Sequence, residues 1–203
     1  MNTALLEQFY TVASNGYLGA TKTTGSKSAV YLRDAELSKQ IRQALQEVLA
    51  PELSKSDVKV RKESYSMGRT IYITLRLDKS KYAPTRDEYK QMVIDNVKRD
   101  KYTWIRTEDG RDIFHEAYWS MTEDDRRKTE QATAEQQAVW NYDRDTTDIN
   151  QYHIDNEDML NGIGKKIVEV ANQVIKAFNY DDSNAQVDYF DTNFYYNLKV
   201  EWK

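Results

Sequence analysis

Apolar positions fall at helical spacing along several stretches of this chain and alternate with polar ones along others, and the two periodicities divide it into elements. Leu5, Phe9 and Val12 share one face of a predicted helix over 3–14, widened by Leu6 and Tyr10. The stretch that follows, NGYLGATKTTGSKS, is rich in Gly, Ser and Thr and is expected to be a flexible connection. A second helix is predicted over 34–50, with Leu37, Ile41, Leu45, Val48 and Leu49 as its apolar stripe, Asp34 as N-cap acceptor and Pro51 as a stop. Val58 and Val60 then alternate with Lys59 and Arg61. After a turn at Ser66, Met67 and Gly68, the residues Ile71, Ile73, Leu75 and Leu77 share one face of a second strand, which makes 57–77 a β-hairpin.

The middle of the chain is more polar. Thr85 and Glu88 are spaced as a capping box for a helix over 85–98, with Tyr89, Met92, Val93 and Val97 inward. Asp109-Gly110 is a favoured turn pair between two aromatic and β-branched runs, so YTWIRT-EDG-RDIFHEAYW is expected to form a second hairpin. Ser120 and Glu123 suggest a further capping box before a polar helix towards Trp140, with surface pairs Glu123–Arg127 and Asp124–Lys128. The segment 141–158, NYDRDTTDINQYHIDNED, holds six carboxylates, one arginine and almost no apolar anchor, and is expected to be a loop. A strongly amphipathic helix over 158–178 carries Leu160, Ile163, Ile167, Val170, Ala171, Val174 and Phe178. A final strand over 193–202 alternates Phe194, Tyr196, Leu198, Val200 and Trp202 with polar residues.

The fold class that follows is α+β. A small antiparallel sheet, made of the hairpin 57–77 and the terminal strand 193–202, packs against the helices at 34–50 and 158–178. The expected organisation is a discontinuous scaffold, 1–77 and 158–203, interrupted by a helix/hairpin/helix lobe over 78–157.

Charge sharpens this picture. Residues 1–102 hold 18 Lys and Arg against 12 Asp and Glu, whereas 103–203 hold 11 against 21. A dipolar distribution of this kind steers association with a charged partner and says little about fold. With no cysteine in 203 residues, disulfides, thiolate nucleophiles and Cys-ligated metals are excluded. His115 and His153 do not share an H-x-x-x-H spacing, and neither has an evident serine partner. Asp143, Asp145 and Asp148 form D-x-D-x-x-D without the glycine and bidentate glutamate of a calcium loop, and Asp181, Asp182, Asn184 and Asp188 complete none either. Gly162-Ile163-Gly164-Lys165 lies in a helical pattern and matches no phosphate loop. The expectation is a non-enzyme without cofactor or metal. No apolar run approaches the roughly 18 residues of a membrane span. The first residues lack a basic n-region, and Glu7 interrupts the only apolar start, so a cytoplasmic protein is expected.

Two segments carry a resemblance. Ile41, Arg42, Leu45, Val60, Arg61, Tyr65, Ser66, Gly68 and Ile71 in the first stand where the large polyvalent protein-associated domains place a helix followed by a V-R-x-x-x-Y-S-x-G hairpin. Tyr180, Asp181, Ser183, Asp188, Tyr189, Phe190, Asn193, Phe194 and Tyr195 in the second match that family's returning Y-D-x-S and D-Y-F-x-x-N-F-Y pattern. The likeness spans about 34–77 and 166–202 and leaves 78–157 without a counterpart. It implies a phage or plasmid setting, a bacterial host cytoplasm, and proteins that protect incoming DNA or counter host defence. It implies no catalytic residues.

In that setting the acids read as phosphate imitators. Glu123, Asp124, Asp125, Asp143, Asp145, Asp148, Asp155, Glu157 and Asp158 could compete with DNA for the basic groove of a nuclease, with Trp140 and Tyr142 as anchors beside Trp119 and Tyr152. The partner expected is a host-defence nuclease or its guide-RNA complex, Cas9-like, which makes the chain an anti-CRISPR inhibitor. Acids solvating a loop with aromatics packed beneath would leave the same sequence pattern. The alternative function is a nucleic-acid-binding accessory or anti-restriction protein that uses Lys59, Arg61, Lys62, Arg69 and Arg76 on the hairpin.

Overall fold

The computed structural model describes residues 1–28, 34–66, 68–99, 105–189 and 191–203. In chain order the elements are α1 (Thr3–Leu6), β1 (Thr11–Asn15), β2 (Thr21–Gly25), α2 (Asp34–Val48), β3 (Val58–Tyr65), β4 (Gly68–Leu77), α3 (Lys79–Tyr82), α4 (Arg86–Arg99), β5 (Ile105–Arg106), β6 (Asp112–Ile113), α5 (His115–Trp119), α6 (Glu123–Gln137), β7 (Thr146–Ile149), α7 (Gly162–Ala177), β8 (Tyr180–Asp181) and β9 (Tyr195–Trp202).

The central sheet has the order β3-β4-β9-β7. Ile71, Ile73, Leu75 and Leu77 of β4 turn to the same side as Leu198 and Val200 of β9 and meet the apolar stripes of α2 and α7, including Ile41, Leu45, Ile167 and Ile175. The opposite face is left polar. This is the α+β arrangement of sheet on helices expected from the periodicities. One pairing differs from the antiparallel expectation, since β9 runs parallel to β4 with Thr70 beside Tyr195 and Leu77 beside Trp202. The chain returns through α7, and a crossover of that kind delivers a strand in the same direction as the one it left.

The two resembling segments meet in space. Arg42 of α2 donates to the Val60 carbonyl (2.6 Å) and fastens helix to hairpin, and the Arg69 Nε donates to the Asn193 carbonyl (2.9 Å) across the parallel pair. Met67 and Phe190, placed in the turn and in the returning motif, lie outside the described residues, as does the side chain of Asp34.

The polar middle forms its own cluster, where Tyr89, Val93, Val97, Ile105, Tyr118, Ala134, Ala138 and Met159 pack together. Trp202 touches this cluster and the main core alike. The Thr85/Glu88 capping box is present, because the Thr85 amide donates to the Glu88 carboxylate (2.7 Å) and the Glu88 amide to the Thr85 hydroxyl (3.2 Å).

Several expectations need correction. The first helix stops at Leu6, and Thr11–Asn15 is instead a strand paired with Thr21–Gly25, the segment expected to be a flexible connection. Phe9 is buried as its spacing suggested, but the Thr-rich stretches around it pair as β-strands. The second hairpin keeps only short arms around Gly110, which takes a positive φ of 85°; HEAYW coils into α5, and 101–104 lie outside the described residues. The cap of α6 is Thr122, whose hydroxyl accepts from the Asp125 amide, rather than Ser120. Arg127 pairs with Asp124 (2.9 Å) rather than Glu123, while Asp124–Lys128 (3.2 Å) forms as expected. Segment 141–158 is not all loop, because β7 within it is the edge strand beside β9. The last helix begins at Gly162, where the Asn161 side chain caps the amides of Ile163 and Gly164, which leaves Glu157 and Asp158 ahead of it. Among the described residues no helix is long and apolar enough to cross a membrane.

Candidate functional site

The acidic segment is held on the sheet by specific tethers. Trp202 donates its amide to the Asp145 carbonyl (2.8 Å) and its indole N–H to the Thr147 hydroxyl (3.0 Å), which pins the start of β7 to β9. Lys79 donates to the carbonyls of Tyr142 and Arg144 while its ammonium lies over the Tyr142 ring. Burial pulls the Lys79 ammonium below its usual range, opposed by the nearby Asp143 and Asp145. The Tyr142 hydroxyl donates to the Pro84 carbonyl (3.0 Å) and its ring packs near Tyr89, so this aromatic is a strut of the turn rather than a free anchor. Trp140 and Tyr152 are exposed, and Arg106 lies beneath Trp140.

Between this turn, β7 and the approach to α7 opens a polar cleft of about 410 Å³, lined by Tyr89, Asn141, Arg144, Thr146, Thr147, Asp148, Asn156, Glu157, Asp158 and Met159. It brings together Asp148, Glu157 and Asp158 of the acids singled out by sequence, with Asp145 beside them. Burial is the chief cause that raises the Glu157 carboxyl above its ordinary range; the Met159 amide lowers it, the Asp158 charge raises it further, and the more distant Lys165 charge lowers it. Asp148 pairs with Lys199 (3.1 Å), its cross-strand neighbour. No cation lies within ion-pair distance of Asp145, Glu157 or Asp158 among the described residues. Arg144 is the cation on the wall of the cleft, a residue that sequence reasoning counted only as an exception among carboxylates.

The remaining acids are placed elsewhere or neutralised. Asp143 shares Arg86 with Glu135, at 3.1 Å and 2.5 Å. The Asp155 carboxyl faces Glu169, whose own pKa is raised by burial and by that contact. Glu123, Asp124 and Asp125 cap the far end of α6, about 25 Å along the helix from Trp140 at 1.5 Å per residue. The hollow there is larger, about 650 Å³, but it alternates Lys98, Arg126 and Arg127 with Glu123, Asp124 and Glu130, so it carries no single sign. One continuous acidic surface from 123 to 158 is therefore not formed. Nor do Asp143, Asp145 and Asp148 converge, since the first turns to Arg86 and the last to Lys199.

The basic residues of the hairpin are also engaged. Lys59 and Arg76 both lie 2.9 Å from Glu201 on the open sheet face; the Arg76 Nε–H is not aimed at that carboxylate, so this contact is an ion pair without a hydrogen bond. Arg61 stacks over Tyr72, Arg69 bonds Asn193, and Lys62 has its own contact.

The Arg86 network gives a pH test. Arg86 and Lys90 hold the Glu135 carboxyl down at about 2. A depressed carboxyl contributes its share of the α4–α6 contact above its ordinary value of 4.5 and loses it as pH falls through about 2. In Arg86→Ala the Glu135 carbon shifts, followed by NMR, are expected to titrate closer to 4.5; a midpoint unchanged by the substitution would show that Arg86 is not the cause.

No family model matches the chain, and neither a curated protein nor a solved structure does.

Proposed function

We propose that the protein is a mobile-element inhibitor of host defence that binds a nuclease effector, a Cas9-type guide complex by preference, through the acidic cleft beside β7. The observation that carries this reading is the contrast in charge pairing. Asp145, just ahead of β7, and Glu157 and Asp158, in the approach to α7, form no ion pair among the described residues, whereas Lys59 and Arg76 of the basic hairpin share Glu201. Unpaired carboxylates can meet the lysines and arginines with which a nuclease grips phosphates. The phage and plasmid setting comes from the resemblance of the two motif segments. DNA imitation is confined in this reading to the cleft and does not extend along α6.

The test is a cleavage assay with purified effector, guide and target. The protein is expected to block cutting, and Asp145→Lys, Asp148→Lys and Asp158→Lys combined are expected to weaken inhibition about 100-fold, the cost of roughly 3 kcal/mol in interfacial charge complementarity. Undiminished cutting at excess protein across several type II effectors would sink the Cas9 choice. Steeply salt-dependent binding to bare DNA, lost when Lys59, Arg61 and Arg69 are reversed, would instead support an accessory DNA-binding protein.

A further inference from the structure

The sheet β1-β2-β8 has β1 at its edge, and every residue of that strand is exposed. The main-chain bonds that flank the strand fix which groups look outward. Ser26 donates to the Tyr10 carbonyl and Gly16 to the Ala20 carbonyl, so by the alternation of antiparallel pairs Val12 and Ser14 bond to β2. Thr11, Ala13 and Asn15 then direct their amides and carbonyls away from β2. Among the described residues nothing pairs with them.

Edges in folded proteins are blunted by charge, proline or a bulge. The edge at β3 follows that rule with Lys59, Arg61, Lys62 and Glu63, and the edge at β7 carries Asp148. The sequence of β1, TVASN, has none of these devices. Exposed apolar side chains surround it, Tyr10 and Val12 each at 55% and Leu18 at 70%. Leu18 also holds a left-handed φ of 49° at the hairpin tip, a conformation costly for a branched residue.

We infer that β1 is the pairing edge for a second copy of this chain. In an antiparallel match about a two-fold axis at Ala13, Thr11 meets the partner's Asn15, Val12 meets the partner's Ser14, and Ala13 meets itself. All of the outward main-chain groups are then paired in one register. No charge opposes its own copy, which would happen if β3 were matched with itself. A contact of this length falls at the small end of specific interfaces, so the dimer dissociates on dilution.

The test exploits the absence of cysteine from the chain. Directly paired residues of antiparallel strands lie about 5.5 Å apart between Cα atoms, within the range a disulfide spans. The single substitution Ala13→Cys is expected to give a covalent dimer under mild oxidation, while Thr24→Cys on β2 stays monomeric. In the cysteine-free protein, sedimentation is expected to show a mass that doubles with concentration, and Ala13→Pro to remain monomeric. The proline removes only an outward amide, so its far-UV spectrum and thermal midpoint should match the parent protein. A protein that is monomeric throughout, or a dimer that persists in Ala13→Pro while Ala13→Cys fails to cross-link, overturns the inference.

Discussion

Gly164→Ala is expected to destabilise the protein by about 3 kcal/mol or more, seen as a lower urea midpoint at an unchanged slope. A Cβ at this position would sit 2.3 Å from the Tyr82 carbonyl oxygen and 3.1 Å from Leu160 Cδ2. The oxygen is main chain and cannot swing aside. It accepts from the Asn161 amide (2.9 Å), and the Asn161 side chain holds the neighbouring carbonyls of Lys81 and Ala83 (2.9 and 3.1 Å). The glycine therefore permits α3 to cross the first turn of α7, which closes the main core around Tyr82 and Leu160. Gly162→Ala is the control. Nothing lies within 4 Å of its added carbon, and alanine favours the helix by up to about 1 kcal/mol. Equal effects at the two glycines would refute the packing account.

That pair of glycines shows how far sequence can reach. The pattern GIGK is legible as helix, yet nothing local reveals that one glycine faces solvent and the other a carbonyl from α3. The same division runs through the fold. Elements with a long apolar stripe, α2, α4, α7, β4 and β9, were legible because burial imposes their period. β1 and β2 were not, since Thr11–Asn15 and Thr21–Gly25 present no inward apolar row and are held by main-chain pairing and by the close approach of Gly25 to Ala177. β7 was masked by Asp148 within it and the acids around it, because Ile149 is its one buried residue. The parallel direction of β9 needs the path of α7, which no strand pattern contains. In the candidate site the acidic cluster was legible as composition, but its charge state was not. Asp143 finds Arg86 at a separation of 57 residues, and the wall that Tyr89 of α4 supplies opposite Asn141 and Asn156 comes from a distant part of the chain.

Asn172→Ala is expected to cost about 2–4 kcal/mol, because it orphans two polar groups at once. Asn172 is 8% exposed on the otherwise apolar face of α7, between Ala171 and Ile175. Its Oδ1 accepts from the Tyr196 hydroxyl (2.6 Å) and its Nδ2 donates to the Gln151 carbonyl (3.1 Å). One side chain thus joins the helix, the inner face of β9 and the turn that leaves β7. Burial pushes the Tyr196 phenol up, so it remains a neutral donor throughout the ordinary pH range. Tyr196→Phe removes the donor and leaves Asn172 with a single partner, a smaller loss of about 1 kcal/mol. The double variant is expected to be less destabilised than the sum of the singles by about 1 kcal/mol, since the hydroxyl that Asn172→Ala strands is then absent. Hydrogen exchange adds a local readout, because Asn172→Ala should speed exchange over 149–153 while Tyr196→Phe, which spares the Gln151 bond, should not. This turn connects β7 to Glu157 and Asp158. If the cleft is the binding surface, Asn172→Ala weakens inhibition at temperatures where the fold persists, although Asn172 does not line the cleft. Strict additivity, or unchanged exchange in the turn, would remove Asn172 from the framework that holds the acids in place.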